Sequence, residues 1–303
     1  MRPPLPLNRS LMALFGHLLE VVFWVSVFAC ACLLAAGIYF GSFVIGLIGG
    51  CGLLIALYAG FIEPHWFQIV HHVLRLRDGR ARNIRIVFLS DFHAGQAKTR
   101  SVYDQLFKRV AALHPDLILL GGDYVEARSD AARDLVGIAM LKPRLGTYFI
   151  LGNHDYEDHP ALIRSFLSSF GAKDLTGQTI SFGVGEDVFQ LVGIDDAWLG
   201  APRGQLGFVV SKKPTIVLTH ESDILLDLPE EAADLVFLGH THGGQVRLPG
   251  YGAVARMPQT TPHWLDRGLK TWRGMQLLIS QGIGESSARV RLLARPQIVV
   301  VDL

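Results

Sequence analysis

Cysteine is scarce in this 303-residue chain, and charged residues are missing from one long stretch near its start. The three cysteines, Cys30, Cys32 and Cys51, all lie in apolar sequence, so the rest of the chain has none. That absence excludes a disulfide scaffold, thiolate metal ligands and cysteine nucleophiles outside the apolar part.

The charge-free stretch runs from Val21 to Ile62. As a helix it would measure roughly 60 Å, about twice the hydrocarbon thickness of a bilayer. We interpret it as two membrane helices, at roughly Leu18 to Phe40 and Phe43 to Phe61, separated by Gly41-Ser42. A secretory signal peptide is the alternative, but its apolar core would be shorter and a polar cleavage region would follow it.

Arginines flank this apolar hairpin on both sides and are missing from its turn. Two precede it and four follow it: Arg2, Arg9, Arg75, Arg77, Arg80 and Arg82. By the positive-inside rule, both ends are expected in the cytoplasm, with the hairpin in the inner (cytoplasmic) membrane. The expected division is a membrane hairpin over 1–62, a juxtamembrane connector with a first strand over 63–83, and a cytoplasmic catalytic domain over 84–303.

The part beyond the hairpin has almost no net charge. Removing Arg2, Arg9 and Glu20 from the 28 basic and 27 acidic residues leaves 26 of each. General nucleic-acid binders need a net basic face to displace counterions, so no nucleic-acid partner is expected.

Short apolar runs and helical patterns alternate after the hairpin. The predicted order is strand, helix, strand, helix, strand, helix: Ile84–Ser90, Thr99–Leu113, Leu117–Leu120, Asp130–Leu141, Thr147–Leu151 and Pro160–Phe170. Right-handed crossovers between such strands predict parallel pairing in a buried sheet. The alternation of polar and apolar residues over His72–Arg77, followed by the Asp78-Gly79 turn, predicts an earlier strand that folds back onto Ile84–Ser90.

The second half of the chain has strand patterns with few helices between them. These are Thr179–Phe182, Val188–Ile194, Thr215–Thr219, Leu235–Leu238, Met275–Ser280, Val290–Leu293 and Ile298–Leu303. They indicate a second, more antiparallel sheet. The predicted fold class is therefore α/β, with two sheets flanked by helices.

Five of the predicted strands end in residues that bind metals. The set is Asp91, His93, Asp123, Asn153, His220, His240 and His242. Ligands collect at the carboxyl ends of strands, and nitrogen and oxygen donors without sulfur suit Zn, Mn, Fe or Co. Seven side chains are too many for one ion, but they suit two ions about 3.5 to 4 Å apart that share one carboxylate.

Asp-x-His, Gly-Asp, Gly-Asn-His-Asp, a lone His and Gly-His-Thr-His, in this order across residues 84–242, resemble the calcineurin-like metallophosphoesterase superfamily. Gly282-Ile283-Gly284 and Arg291 to Pro296 resemble its membrane-associated branch, although Gln297 stands where that branch often has Glu. The resemblance implies an αββα sandwich of two sheets.

The resemblance also implies roles for individual residues. Asp91, His93 and His242 would hold one divalent transition ion (Mn, Zn or Fe), Asn153, His220 and His240 the other, and Asp123 would bridge the two. His154 would face the phosphate. Asp155 either orients His154 or is a plain loop residue.

The expected function is therefore that of a membrane-anchored phosphodiesterase or pyrophosphatase, in which a metal-bridging hydroxide attacks a phosphate ester. Confinement at the membrane favours a lipid-linked substrate such as UDP-2,3-diacylglucosamine, which some relatives cleave. Two alternatives stay open: a broad-specificity phosphoesterase merely localised to the membrane, and a catalytically silent binding protein. Apolar positions for a lipid are expected in the loop Tyr251 to Trp264, which includes Met257 and Pro258.

Overall fold

The computed structural model describes residues 9–80, 82–183, 188–202, 213–256 and 259–303. It begins with two antiparallel helices, α1 (Arg9–Tyr39) and α2 (Phe43–Leu57), and α2 continues through a π-helical turn at Tyr58–Ile62. The segments His17–Tyr39 and Phe43–His65 are long and apolar enough to cross a membrane, and most of their residues are exposed. The helices pack closely, because a Cβ at Gly49 would overlap the backbone of Leu34.

The rest of the described chain contains fourteen strands and two α-helices. The strands are β1 (Gln68–Val73), β2 (Arg85–Leu89), β3 (Leu117–Leu120), β4 (Thr147–Phe149), β5 (Lys173–Asp174), β6 (Thr179–Phe182), β7 (Phe189–Gly193), β8 (Thr215–Leu218), β9 (Leu235–Leu238), β10 (Arg247–Leu248), β11 (Gly252–Ala253), β12 (Gly268–Trp272), β13 (Met275–Ile279) and β14 (Gln297–Asp302). The helices are α3 (Arg100–Ala112) and α4 (Pro160–Ser169). Both lie where the sequence predicted them.

The segment predicted as a helix over Asp130–Leu141 is instead a run of 3₁₀ turns, Ser129–Met140. Gly137 lies in its interior, and glycine lowers the propensity for regular α-helix. The run still packs against α3 and α4, so it covers the same face of the first sheet that the predicted helix would have covered.

The first sheet has the strand order β1-β14-β2-β3-β4-β5. Strands β2 to β4 are parallel as predicted, and the short β5, which was not predicted, pairs with β4 in parallel. The prediction that the first strand folds back onto β2 was wrong, since β1 pairs with β14 in parallel. The residues Ile298 to Val301 are buried throughout, which suits an interior strand, whereas β1 alternates between half-buried and exposed residues and takes the edge.

The second sheet has the order β12-β13-β9-β8-β7-β6. Its two edge pairs are antiparallel and its three central pairs are parallel, so the expected antiparallel character is confined to the edges. No strand forms at Val290–Leu293, where only Leu292 makes an isolated bridge to Val246. The positive φ of Leu293, 55°, interrupts the extended conformation.

One hydrophobic core lies between the two sheets. Phe88 on β2 meets Phe237 on β9, with ring centroids 5.1 Å apart. Helices α3 and α4 cover the outer face of the first sheet. The 3₁₀ helix Ser222–Leu226 and neighbouring loops cover the outer face of the second. The fold is thus the expected two-sheet sandwich, and the carboxyl ends of β2, β3, β4, β8 and β9 point to one common edge.

Hydrogen bonds join the base of the helical hairpin to the domain. The amide of Arg291 donates to the carbonyl of Ala59 at 2.9 Å. The amide of Ala294 donates to the buried carboxylate of Glu63 at 2.7 Å. The segment that follows β13 is therefore fixed to the end of the second apolar helix.

Candidate metal centre

The seven predicted ligands and His154 lie together at the common edge of the two sheets. Ligand atoms of three overlapping groups lie within 4.8 Å of one another: Asp91, His93 and His242; His93, Asp123 and His154; and Asp123, His220 and His240. Asn153 joins them through His240, whose Nδ1 is 3.0 Å from the Asn153 Oδ1. All seven predicted ligands are buried.

Five of the seven have a left-handed backbone, which non-glycine residues rarely adopt. Their φ angles lie between 47° and 68°: Asp91, His93, Asp123, His240 and His242. This conformation turns the chain sharply after an extended strand, so residues two apart direct their side chains into the same space. Each such residue costs on the order of 1 kcal/mol or more, and such strain clusters at functional sites.

Asp123 lies at the centre of the cluster. Its Oδ2 is 3.1 Å from the Nε2 of His220 and 3.6 Å from the Nε2 of His93. Its Oδ1 accepts a hydrogen bond of 2.9 Å from the amide of His154. A Cβ at Gly152 would overlap this carboxylate, so only glycine permits the approach.

The first group forms around His93. Its Nε2 lies 3.0 Å from the Nε2 of His242, and that nitrogen lies 3.6 Å from the Oδ1 of Asp91. The other carboxylate oxygen of Asp91 accepts from the hydroxyl of Ser90, and the amide of His240 donates to Oδ1 at 2.7 Å. Two imidazole nitrogens and a carboxylate oxygen thus face one small space.

The second group passes a chemical test for metal binding. The Nδ1 of His220 donates to the carbonyl of Gly121 at 2.6 Å, because a carbonyl only accepts, so Nε2 is the ring atom that would bind an ion after losing its proton. Without an ion, the carboxylate of Asp123 outweighs burial and raises the pKa of His220 well above its usual value. The buried Nε2 of His220 faces the Oδ2 of Asp123 at 3.1 Å, and among the described residues no group hydrogen-bonds to the buried Nε2 of His240. Two atoms that bind the same ion lie about 3 Å apart when each metal–ligand bond is about 2.1 Å long. The Oδ1 of Asn153 and the Nδ1 of His240 have this spacing, 3.0 Å. These residues fit a divalent transition ion.

The electrostatic environment favours a charged centre. Burial would raise the pKa of Asp123, but the imidazoles of His220 and His154 outweigh it and hold that pKa well below its usual value. Burial would lower the pKa of His154, but the carboxylates of Asp123 and Glu126 outweigh it and raise that pKa to about 9. Burial, and then the charge of His93, hold the pKa of His242 well below its usual value, so His242 is neutral.

Asp155 does not orient the ring of His154. Its carboxylate accepts hydrogen bonds from the amides of Tyr124, at 2.8 Å, and Gly152, at 2.9 Å. The Nδ1 of His154 bonds instead to the carbonyl of Glu126 at 3.1 Å. Of the two roles left open for Asp155, these contacts favour that of a loop residue, because two backbone amides occupy its oxygens. Asp155 fixes the loops after β3 and β4 to each other.

Glu126 is the supporting residue that the sequence did not reveal. Its carboxylate contacts the Nδ1 of His93, and its carbonyl accepts from His154. It also accepts a hydrogen bond of 3.0 Å from the amide of Ser287, on the far side of the site. Its position three residues after Asp123 was the only signal, and a glutamate in a loop is common.

Arg291 and Trp198 complete the surroundings. The guanidinium of Arg291, fully buried, lies 3.5 Å from the Nδ1 of His242. The indole of Trp198 meets the ring of His240 edge to face, with centroids 4.6 Å apart. Arg291 lies in a segment that the family resemblance had picked out, whereas nothing in the sequence distinguished Trp198.

The chain is similar to several known proteins. The sequence profile of the calcineurin-like phosphoesterases matches residues 84–244, which contain all seven predicted ligands. Phosphodiesterase YaeI of Escherichia coli is 30% identical over 81% of this chain and 92% of its own length. The uncharacterized metallophosphoesterase YkuE of Bacillus subtilis is 27% identical over 87% of this chain and 94% of its own. A solved archaeal phosphodiesterase aligns over 66% of this chain and 84% of its own, with 9% identity and a TM-score of 0.33.

Glu126→Gln should weaken metal binding, because a carboxylate that accepts from a ligand imidazole orients it and raises its basicity. Loss of such a partner typically costs about 10- to 100-fold in metal affinity. Competition with a chelator of known affinity measures the effect. Glu230→Gln, at an exposed glutamate remote from the site, is the matched control and should change nothing. Equal affinities of the two variants would show that Glu126 does not support His93.

Proposed function

The chain belongs to the calcineurin-like phosphoesterase family of metal-dependent phosphoric ester hydrolases, and from that premise we propose that it is a two-metal phosphodiesterase or pyrophosphatase anchored in a membrane. The observation that carries the two-metal proposal is the position of one oxygen. Asp123 Oδ2 lies between the imidazoles of His220 and His93, at 3.1 and 3.6 Å, and these belong to different ligand groups. A shared carboxylate is the feature that joins two ions into one centre.

Asp91, His93 and His242 would hold one ion, and Asn153, His220 and His240 the other, with Asp123 between them. When bound, such a pair of ions activates water and stabilises the charge that develops on phosphoryl oxygens. Manganese, zinc and iron all suit these nitrogen and oxygen donors.

His154 would serve the substrate rather than the ions. Its amide is held by Asp123 and its Nδ1 by the carbonyl of Glu126, which fixes the ring and leaves the Nε2 edge for a phosphoryl oxygen or a leaving group. A donor placed in this way stabilises developing charge without reorganisation.

Asp123→Asn should release both ions and should lower kcat/KM by more than about 100-fold, since it removes a shared ligand rather than a supporting contact. Asp91→Asn makes the same chemical change at a residue of one group and should release one ion. Metal analysis of the purified full-length variants separates the two cases. Two retained ions and near-normal activity in Asp123→Asn would refute the bridging assignment.

His154→Ala tests the remaining role in the same assay. We expect normal metal content with turnover slowed on the order of 100-fold or more, because a charge stabiliser is lost and no ligand is. A fall in metal content would instead make His154 a ligand.

We assign residues 1–62 to a membrane hairpin, 63–83 to a connector that also supplies β1, and 84–303 to the catalytic domain. The length and composition of the two helices, together with the arginines at both ends, support an anchor in the inner membrane with the domain in the cytoplasm. A reporter fused after Leu303 should be active as a cytoplasmic fusion and silent as an exported one. The opposite result would reverse the orientation.

The anchor leads us to propose a lipid-linked phosphodiester or pyrophosphate, such as UDP-2,3-diacylglucosamine, as the substrate. The amides of Arg291 and Ala294 bond to the base of the hairpin, so the site is held close to the lipid headgroups. Confinement raises the effective concentration of a membrane-resident substrate without any new contact. Tyr251, Val254 and Trp264 are exposed apolar residues in the loop where lipid contacts were expected, while Met257 and Pro258 lie outside the described residues.

The substrate proposal is tested by comparing a lipid-linked substrate with its soluble headgroup analogue, using the full-length protein in vesicles. We expect a higher kcat/KM for the lipid-linked form. Equal values would leave no role for the acyl chains and would identify a broad-specificity phosphoesterase that is merely localised to the membrane.

A further inference from the structure

The loop 289–296 lies between the base of the helical hairpin and the small β10–β11 sheet. On one side it bonds to Ala59 and Glu63 at the end of the apolar helices. On the other side, the amide of Leu292 donates to the carbonyl of Gln245, and the amide of Arg247 donates to the carbonyl of Leu292, both at 2.8 Å. The β10–β11 hairpin is therefore linked, through a single loop, to the predicted membrane segment.

This loop and hairpin expose large apolar side chains that the core does not use. The exposed fractions are 47% for Leu248, 63% for Tyr251, 51% for Val254 and 51% for Leu293. A single exposed apolar residue is ordinary, but four on two segments joined by hydrogen bonds indicate a surface with a partner.

The same two segments are purely basic. Residues 245–256 and 289–296 contain five arginines and neither aspartate nor glutamate. Arg256 and Arg289 are exposed, and the guanidinium of Arg295 lies 4.1 Å from the ring centroid of Trp66, an exposed tryptophan directly after the second apolar helix. Three of the arginines have acidic partners outside these segments: Asp266 pairs with Arg247 at 2.6 Å, Glu20 lies 4.0 Å from Arg289, and the buried Arg291 pairs with Glu285 at 3.1 Å. Arg291 is therefore not part of the exposed basic surface. Apolar tips among arginines match an anionic lipid surface, where headgroup phosphates pair with the arginines and the tips enter the acyl boundary.

We propose that the β10–β11 hairpin and the loop 289–296 form a docking surface that lies on an anionic bilayer beside the helical hairpin. The inference rests on the proposed membrane anchor. Gln245 lies three residues after His242 and bonds to Leu292, so the docking surface borders the metal centre. The surface therefore fixes the orientation of the domain, which two helices and one connector alone would leave free to tilt. A phosphate ester in a lipid headgroup is then presented beside the site.

The distribution of cysteines makes this testable in the full-length protein, because the three native cysteines all lie in the hairpin. After their replacement by alanine, single cysteines from Leu248→Cys and Tyr251→Cys would carry an environment-sensitive fluorophore. Leu162→Cys, on α4, is the matched control, since it is 37% exposed and lies near the opposite edge of the first sheet. A variant that keeps only Cys51 reports on the anchor itself.

Each labelled protein is reconstituted into vesicles that contain acyl-chain nitroxide lipids, with and without phosphatidylglycerol. We expect positions 248 and 251 to lose fluorescence to a degree comparable with Cys51, more strongly in the anionic vesicles, while position 162 keeps its fluorescence. In a variant that also carries Arg256→Gln and Arg289→Gln, the fluorescence loss at positions 248 and 251 in anionic vesicles should fall to the value seen in neutral vesicles. Hydrolysis of a soluble aryl phosphodiester by each variant confirms that it is folded.

The possible outcomes distinguish failure of the docking surface from failure of the proposed membrane anchor. Quenching at Cys51 but not at positions 248 and 251 would overturn the docking surface and leave the anchor intact. Lack of quenching at Cys51 would overturn both. If the unlabelled wild-type protein hydrolyses no phosphodiester but positions 248 and 251 are quenched as expected, the proposed phosphodiesterase activity would be contradicted and the docking surface would be supported.

Discussion

Buried carboxylates that bond across strand ends hold this site together. Asp91, after β2, accepts from the amide of His240, which follows β9 in the opposite sheet. Asp123, after β3, accepts from the amide of His154, which follows β4. Asp155, in the loop after β4, accepts from the amide of Tyr124 in the loop after β3. Each carboxylate is thus stabilised by the backbone of a neighbouring loop, and these bonds offset part of the cost of its burial and of the left-handed turns that the loops require. Burial still raises the pKa of Asp91, and it raises the pKa of Asp155 to about 7.

The position of the centre could be predicted from the sequence because its information is local. Asp91, Asp123 and His240 each directly follow an apolar run, or follow it after one or two glycines, and parallel strands bring such ends to one edge. The parallel order of β2 to β4 follows from the intervening helices for the same reason. The supporting contacts were not predictable. Nothing local distinguishes Glu126 from any loop glutamate, and the roles of Asp155 depend on amides that only the folded loops bring near.

The errors in the fold are also long-range. The pairing of β1 with β14 joins Gln68 to Gln297, residues at opposite ends of the domain, and no turn signal announces it. The apolar run Val290–Leu293 reads as a strand, but its backbone is diverted to contact Ala59 and Gln245. Tertiary contacts decided the conformation there, as they often do for short apolar runs.

A buried group of charges lies directly behind the loop 289–296. Lys98 contacts both oxygens of Glu285 at 2.5 and 2.7 Å, and Arg291 donates to the same carboxylate at 3.1 Å. The cost of desolvating a buried ion pair offsets much of its Coulombic attraction, so such pairs add little net stability. Their main effect is to fix the positions of the charged groups. Here they fix the guanidinium that lies beside His242.

Arg291 gives this geometry a wider consequence, since its amide is satisfied by Ala59 and its guanidinium lies next to a candidate ligand. Removing the hairpin would leave the amides of Arg291 and Ala294 without acceptors and would uncover the loop behind the site. The helical hairpin therefore cannot be exchanged without affecting the rest of the protein. Genetic exchange of the helical hairpin between relatives, or its removal from the chain, would disturb the active centre itself, so the hairpin and competence for chemistry are inherited as one unit.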